Sequence, residues 1–175
     1  TGVQTCALPI SLTIALHAIH RTKVIAGEHV VIIGAGAIGV LAALTTVAYG
    51  AVPILMDVVD ARLKFAKGLG IKNTINAMDK DAIEQIKKIT EGRMAEVVIE
   101  ASGSNVAIRN AIDYVSYAGR IALTGWPKKE TSIPTDLFTK KELDVRGSRT
   151  SAGEFEEALK DRKSTRLNSS HNHDL

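Results

Sequence analysis

The run of residues that predicts the fold is His29-Val30-Val31-Ile32-Ile33-Gly34-Ala35-Gly36-Ala37-Ile38-Gly39. Five mostly apolar positions lead into a turn with three glycines. An Ala- and Leu-rich segment, Val40 to Tyr49, follows, and then a second apolar run, Val52 to Met56, that ends on Asp57. Strand, glycine turn, helix and strand in this order predict the first β-α-β unit of a parallel sheet.

The three glycines fit the needs of a turn that holds a dinucleotide. Gly34 can take the tight turn out of the strand, Gly36 lets the backbone approach a pyrophosphate, and Gly39 lets the helix lie close to the sheet. The helix N-terminus adds free N–H groups and the positive end of its dipole. The predicted pyrophosphate-binding residues are therefore Gly34, Ala35, Gly36, Ala37, Ile38 and Gly39.

An acidic residue follows at the end of the second strand. Asp57 lies eighteen residues beyond Gly39, where a carboxylate can accept hydrogen bonds from the hydroxyls of an adenosine ribose. A negative charge there repels a 2′-phosphate, so NAD is predicted in preference to NADP. Arg62 is either a group that lays its guanidinium across the adenine or a solvated helix charge, and both interpretations stay open.

A glycine turn alone also occurs in ordinary loops and in methyltransferases. The flanking strand and helix, the third glycine at Gly39 and the acid at Asp57 together favour a dinucleotide. A short-chain dehydrogenase needs a Tyr-x-x-x-Lys pair, but Tyr114 is followed at that spacing by Ala118 and Tyr117 by Ile121. That class is therefore excluded.

Length and composition limit the other functions. The chain has 175 residues, 45% hydrophobic and 23% charged, which is enough for one buried α/β domain. The net charge of +3 comes without a basic cluster in the central chain, so nucleic acid is not the expected partner. No apolar run is long enough for a membrane span and no signal peptide is recognisable, so we expect a cytoplasmic protein without a membrane partner.

The two ends of the chain have an unusual relation. Residues 1–10 can be encoded by a nucleotide string whose reverse complement encodes Asp161 to Ser170, and that string resembles a sequencing adapter. We therefore expect residues 1–11 to be adapter and junction, 12–160 to be one domain, and 161–175 to be a disordered adapter segment. Cys6, the only cysteine, and the His-x-His of the tail then carry no function.

The remaining pattern predicts a doubly wound sheet of six parallel strands. Histidines at positions 17 and 20 of the first predicted helix are expected to be surface or packing residues, not metal ligands, because no acidic residue or cysteine lies beside them in sequence. Outside residues 29–57, the predicted helices are 12–22, 61–68, 79–89, 106–115, 136–141 and one from 154. The predicted strands there are 73–76, 95–101, 119–124 and 143–147.

Two loops follow strands that end at the same edge. Ser102-Gly103-Ser104-Asn105 is predicted to cap the helix that starts at Val106. A strand that ends in such a small-residue turn lies where the middle of a dinucleotide would pass. Gly68 or Gly70 is predicted to end the helix after Asp57. Trp126 could cover a cofactor, but packing under its own loop is the favoured interpretation.

These residues together resemble the medium-chain zinc-dependent alcohol dehydrogenases, and the sorbitol and threonine dehydrogenase branch most closely. The resemblance extends over residues 12–160. The motifs that carry it are His29 to Gly39, Asp57 with Arg62-Leu63, Val98 to Gly103, and Gly119 to Gly125.

The resemblance implies a second, catalytic domain, mostly N-terminal to this segment, that holds zinc through Cys, His and Glu side chains. None of those ligands is present here, so we expect no catalytic and no metal-binding residue in this chain, and no activity of the chain alone. Zinc in the whole protein would lower the pKa of an alcohol, polyol or sugar-acid substrate so that hydride can leave to NAD.

The resemblance also places residues near the nicotinamide. Ala101, Gly103 and Gly125 would line the path towards it, and Ser148-Arg149-Thr150 would lie near its end. The strand around Leu143 to Ser148 would pair across a subunit interface, giving a homodimer or homotetramer. The alternative to half of an oxidoreductase is a standalone NAD-binding module without catalysis.

Overall fold

The computed structural model contains a single six-stranded sheet in which all strands are parallel, in the order β3-β2-β1-β4-β5-β6. It describes residues 2–150 and 152–154, with side chains from Ile10 onward. This order reverses direction between β1 and β4, as in doubly wound sheets that bind ligands beyond the ends of their strands. The predicted six-stranded Rossmann architecture is confirmed.

Strands and helices alternate along the described chain. The strands are β1 (His29–Ile33), β2 (Val52–Asp57), β3 (Asn73–Asn76), β4 (Ala95–Glu100), β5 (Val115–Leu123) and β6 (Asp144–Gly147). The helices are α1 (Gly2–Thr22), α2 (Ala37–Ala48), α3 (Asp60–Gly68), α4 (Ala82–Ile89), α5 (Asn105–Tyr114) and α6 (Asp136–Lys141).

Two hydrophobic layers cover the sheet. Alternate residues of each strand face opposite sides, so Val30 and Ile32 of β1 join one layer while Val31 and Ile33 join the other. The first layer includes residues from α1, α2 and α3, and the second includes residues from α4, α5 and α6. The central strands are therefore buried on both faces, which explains why they are continuous apolar runs.

Several element boundaries differ from the prediction. β5 begins at Val115, directly after α5, and not at Gly119. At this junction the ammonium group of Lys141 donates to the carbonyls of Ile112 and Val115, both at 2.8 Å. α4 begins at Ala82, because residues 79–81 form a turn. The ammonium group of Lys141, on α6, thus satisfies the carbonyls at the α5–β5 junction. A local sequence pattern cannot show a contact between segments so far apart.

The end of α3 resolves the choice between two glycines. Gly70 has a φ of +91°, and its N–H donates to the carbonyl of Lys67 at 3.0 Å. The N–H of Ile71 then donates to Ala66 at 3.2 Å. These two bonds form a Schellman-type helix end, so Gly70 is the terminating glycine.

The first helix starts earlier than predicted. α1 begins at Gly2 and not at Leu12, and the assignment of residues 1–11 to an adapter stays a prediction. The helix predicted from Glu154 lies, beyond that residue, outside the described part of the chain, as does the segment 161–175. Within residues 2–150 and 152–154, no helix combines the length and apolar character needed to cross a bilayer.

The two histidines of α1 meet an acidic residue that is distant in sequence. Glu154 Oε1 lies 2.7 Å from His17 Nδ1 and 3.4 Å from His20 Nδ1, and His20 Nε2 lies 2.8 Å from the hydroxyl of Tyr49. Burial alone would raise the pKa of Glu154, but hydrogen bonds from His17 and the N–H of Ala152 outweigh it and lower the pKa to about 2. The histidines thus fasten residues 152–154 to α1.

We expect Glu154→Gln to remove a pH-dependent part of the stability. The carboxyl group has a lower pKa in the folded chain than its ordinary value of 4.5. It therefore stabilises the fold above pH 4.5, and this contribution is lost as the pH falls towards about 2. Urea denaturation should show a difference between the two chains that is constant above about pH 5 and disappears near about pH 2.

The matched control is Glu130→Gln, which neutralises an exposed carboxylate. Its difference from the unsubstituted chain should stay small and nearly flat with pH. A gap between Glu154→Gln and the unsubstituted chain that persists undiminished in acid would contradict the role of the Glu154 charge.

Candidate functional site

The glycine turn lies at the edge of the sheet where the strands end, which we call the carboxyl edge. Gly34 leaves β1 with a φ of +106°, and its N–H donates to the carbonyl of Met56 at 2.7 Å. A side chain at Gly39 would overlap the carbonyl of Gly34. Gly39 thus permits the start of α2 to lie against the turn itself, whereas the nearest β1 atom, on Ile32, is 3.6 Å from a Cβ built there.

The first turn of α2 points its free amides at open space. Gly36 is the N-cap and supplies no capping side chain, and a Cβ built on it meets no atom within 4 Å. Gly36 and Ala37 are exposed, and Ile38 is half-buried. The N–H groups at the start of a helix have no acceptor within the helix, and its dipole is positive there. This position can bind an anion such as a pyrophosphate.

Asp57 ends β2 beside this turn. Its side chain is buried, with Oδ2 2.7 Å from the N–H of Ala35 and Oδ1 2.9 Å from the N–H of Val59. The guanidinium of Arg62, whose side chain is 58% exposed, lies 3.4 Å from Oδ2. An ionised carboxylate has about four acceptor positions, so it can still accept bonds from ribose hydroxyls. The N–H of Ala35 is already used, and it orients the carboxylate.

The three residues predicted to line the continuation of the path do come together. Ala101 donates its N–H to the carbonyl of Ile33 at 2.9 Å, which joins the end of β4 to the end of β1. A side chain at Gly103 would lie 2.9 Å from the backbone nitrogen of Trp126, and one at Gly125 would overlap the backbone of Gly103. Glycine is required at both positions because the turns after β4 and β5 touch.

Sequence reasoning did not identify Glu100 as a functional candidate, although it lies at the centre of this edge. Its side chain is fully buried. Oε1 accepts bonds from the N–H of Ser102 at 2.8 Å, from the Ser102 hydroxyl at 2.5 Å and from the N–H of Gly103 at 3.0 Å. Burial raises the pKa of Glu100, and bonds from Ser102, Gly103 and the backbone of Gly125 oppose the rise. The available signal was an acidic residue ending an otherwise apolar strand.

The small-residue turn after β4 differs from the prediction in one respect. Ser104 is the N-cap of α5, but its side chain makes no capping hydrogen bond. The Ser102 hydroxyl, which was part of the predicted cap, binds Glu100 instead. The turn is therefore held by a buried carboxylate from the strand behind it, together with the Ser102 hydroxyl, which also accepts a bond from the N–H of Ser104 at 3.1 Å.

Trp126 does not pack under its own loop, so that interpretation was wrong. It is 72% exposed, and the guanidinium carbon of Arg149 lies 4.7 Å from the centre of its ring. Near these two residues, the hydroxyl oxygens of Thr124 and Ser148 are buried without a partner among the described residues.

The groups at the carboxyl edge fit an extended ligand with phosphates and hydroxyls. Helix amides suit the phosphates, the Asp57 carboxylate suits a ribose, and the orphaned hydroxyls suit a further polar group. Across residues 2–150 and 152–154, no three His, Cys, Asp or Glu side chains are grouped so that they could hold a metal ion.

Fold and site together define a Rossmann-like α/β domain whose candidate site lies at the topological switch point. The chain belongs to the zinc-binding dehydrogenases, since the model of that family matches residues 37–163. This confirms the resemblance seen in the motifs around Gly34–Gly39 and Gly119–Gly125.

Three similar proteins show how much of the family's length is present. The chain is 60% identical over 166 residues to an uncharacterised zinc-type alcohol dehydrogenase-like protein of Haemophilus influenzae, covering 94% of this chain and 48% of the relative. It is 32% identical to a sorbitol dehydrogenase of Bacillus subtilis, over 82% and 41% of the two chains. The chain thus spans about half the length of these curated relatives.

A solved structure also matches this chain over about half of its own length. An Escherichia coli oxidoreductase/dehydrogenase of unknown specificity superposes with a TM-score of 0.85 at 26% identity, covering 91% of this chain and 46% of that one. The matched part is again about half of the larger protein.

Glu100→Ala should destabilise the fold and disorder the turn after β4. The substitution leaves part-buried N–H donors of Ser102 and Gly103 without an acceptor. Each such donor costs about 1 to 3 kcal/mol, so we expect the free energy of unfolding to fall by about 2 to 4 kcal/mol. Urea denaturation measures the change.

Ser102→Ala is the control, because it removes one donor and leaves Glu100 with its backbone donors. It should cost no more than about 1 kcal/mol. Equal stabilities of the Glu100→Ala and Ser102→Ala variants would show that the buried carboxylate does not hold the turn.

Proposed function

We propose that this chain is the cofactor-binding half of a zinc-dependent oxidoreductase that transfers hydride from an alcohol, polyol or sugar-acid substrate to NAD. The observation that carries the proposal is the pairing of free α2 amides with a buried acidic side chain, Asp57, at the carboxyl edge of the sheet. Family membership supports the reaction class.

The adenosine half of NAD would lie over β2 and β1. The first-turn amides of α2 would bind the pyrophosphate, with Gly36 leaving room for it. Asp57, already oriented by Ala35 and Val59, would accept bonds from the ribose hydroxyls. The exposed guanidinium of Arg62 lies at this end and would cover the adenine.

The nicotinamide half would continue over β4 and β5. Ala101, Gly103 and Gly125 would form a surface of backbone and one methyl group there, because the turns that carry the two glycines touch. Glu100 keeps this surface in place from below without meeting the ligand. These residues would hold the nicotinamide, which would supply the hydride acceptor, and zinc held by the other half of the whole protein would supply a Lewis acid for the substrate hydroxyl.

The whole protein would be an oligomer. β6 has a neighbour, β5, on one side only, and its other edge is free in the described chain. An unpaired edge strand can join the same strand of a second copy. A homodimer, or a homotetramer built from it, follows from this edge.

A thermal melt of the chain with NAD tests the proposal. A ligand that binds only the folded state raises its stability by mass action, and about 1 mM NAD should raise the Tm by about 3 to 8 °C. NADP and S-adenosylmethionine are the matched controls and should give little shift. A cooperative melt that NAD leaves unchanged would refute the cofactor assignment, and a shift with S-adenosylmethionine would indicate a methyltransferase-type site.

Asp57→Ala should reduce the preference for NAD over NADP. Removing the charge abolishes its repulsion of the 2′-phosphate, so the ratio of the two dissociation constants should fall about tenfold or more. Calorimetric titration with each cofactor measures the ratio. Asp57→Asn is the control that keeps a side-chain oxygen for the turn, and it should lose the same preference. An unchanged ratio in both variants would contradict the ribose contact.

A further inference from the structure

We propose that the substrate of this site carries a carboxylate, and that Arg149 binds it, with its guanidinium held over the ring of Trp126. The inference rests on the proposed function, because it extends the same crevice by one strand. It narrows the substrate from any alcohol or polyol to an anionic hydroxy acid of the sugar-acid class.

The order of the strands places Arg149 beyond the nicotinamide end. Along the carboxyl edge the groups follow the sheet: Asp57 after β2, the glycine turn after β1, Gly103 after β4, Trp126 after β5 and Arg149 after β6. Neighbouring strands are about 4.8 Å apart. An extended cofactor that starts at Asp57 and ends over the turns of β4 and β5 therefore has Arg149 as its next neighbour, in the position of the substrate.

The contacts between these turns fix that order in space. Leu123 of β5 pairs with Gly147 of β6, and the N–H of Ser148 donates to the carbonyl of Leu123 at 2.9 Å. The backbone of Trp126 lies against Gly103. Arg149 is thus connected to the predicted nicotinamide path through Trp126, with 4.7 Å between the guanidinium carbon and the ring centre.

Arg149 differs from the other arginines of the described chain in its partners. Each of the others contacts a carboxylate or a backbone carbonyl, and these are Arg21, Arg62, Arg93, Arg109, Arg120 and Arg146. Within residues 2–150 and 152–154, Arg149 has an aromatic ring and no acidic partner. Its side chain is exposed, and no acidic group of the described residues neutralises its charge.

Its position over the Trp126 ring prepares the Arg149 guanidinium to bind an anion. The ring attracts the cation and limits its movement, while the N–H donors around the rim of a guanidinium stay available. Those donors form a fork that matches the two oxygens of a carboxylate. A neutral polyol has no group that uses this fork as well, so the site should distinguish a hydroxy acid from a polyol of equal length.

Trp126 makes the test direct, because it is the only tryptophan of the chain. Its fluorescence is titrated with D-gluconate and with sorbitol, which has the same carbon count and no charge. Potassium chloride in the sorbitol samples equalises the ionic strength. Each titration is run with and without NAD. We expect a saturable change with gluconate and a dissociation constant for sorbitol at least about tenfold weaker.

Arg149→Gln should weaken gluconate binding about tenfold or more. Arg149→Lys keeps the charge without the fork of donors, so its gluconate affinity should lie between those of Arg149→Gln and the unsubstituted chain. Lys128→Gln is the matched control, since it removes an exposed cation from the same loop as Trp126. It should change gluconate affinity less than about twofold. NAD affinity, measured by the thermal melt, should be the same in all these chains.

The proposal is overturned if gluconate and sorbitol bind equally, if gluconate does not bind, or if Arg149→Gln binds gluconate like the unsubstituted chain. A matching loss of NAD affinity in Arg149→Gln would assign the cation to the cofactor phosphates and would also overturn it. Failure of the proposed function has a different signature, the absence of any NAD effect on the melt, and the gluconate titrations without NAD then decide the anion site independently.

Discussion

The turns that leave β1 and β4 contain backbone N–H groups that find no acceptor in the strands or in the following helices. In each turn a buried carboxylate accepts their hydrogen bonds. Asp57 accepts the N–H of Ala35, and Glu100 accepts those of Ser102 and Gly103. An unpaired buried amide is costly, so these two acids hold the turns in one conformation. The crevice between the turns has its shape before any ligand arrives.

The two edges of the sheet use charge differently. At the edge where the strands begin, Glu28 and Arg120 form an ion pair at 2.5 Å, and the N–H of His29 donates to Glu96 at 2.8 Å. These contacts stabilise the fold, and they leave His29 Nδ1 and Arg120 Nε buried without a hydrogen-bond partner among the described residues. At the carboxyl edge the free α2 amides and the exposed guanidinium groups of Arg62 and Arg149 have N–H donors available to a ligand. Exposed donors beyond the ends of parallel strands are typical of a ligand site.

The proposed cofactor half of a larger protein agrees with what the carboxyl edge presents. The carboxyl edge supplies groups for an elongated anion, while the described residues bring no three metal-ligating side chains together. The chain spans about half the length of its curated relatives. A surface of backbone and glycine, such as that of Gly103 and Gly125, suits a position where a flat ring must lie between two protein surfaces.

Sequence by itself determined the architecture and predicted the residues proposed for the adenosine end of the site. The apolar runs, the glycine spacing and the acid at Asp57 are local patterns, because strand burial, turn geometry and helix start depend on neighbours within a few residues. The six parallel strands and the positions of Gly34–Gly39 and Asp57 follow from them. The sequence allows two interpretations of Arg62, and in the structure its guanidinium contacts Asp57.

Tertiary structure alone decided the contacts between distant segments. His17 meets Glu154 across 137 residues, Lys141 reaches the carbonyls of Ile112 and Val115, and Trp126 is exposed beneath Arg149. Each of these pairs a side chain with a group on another element, and no periodicity in the sequence encodes that separation. Glu100 belongs with them, because its role appears only when the turns after β4 and β5 close over it.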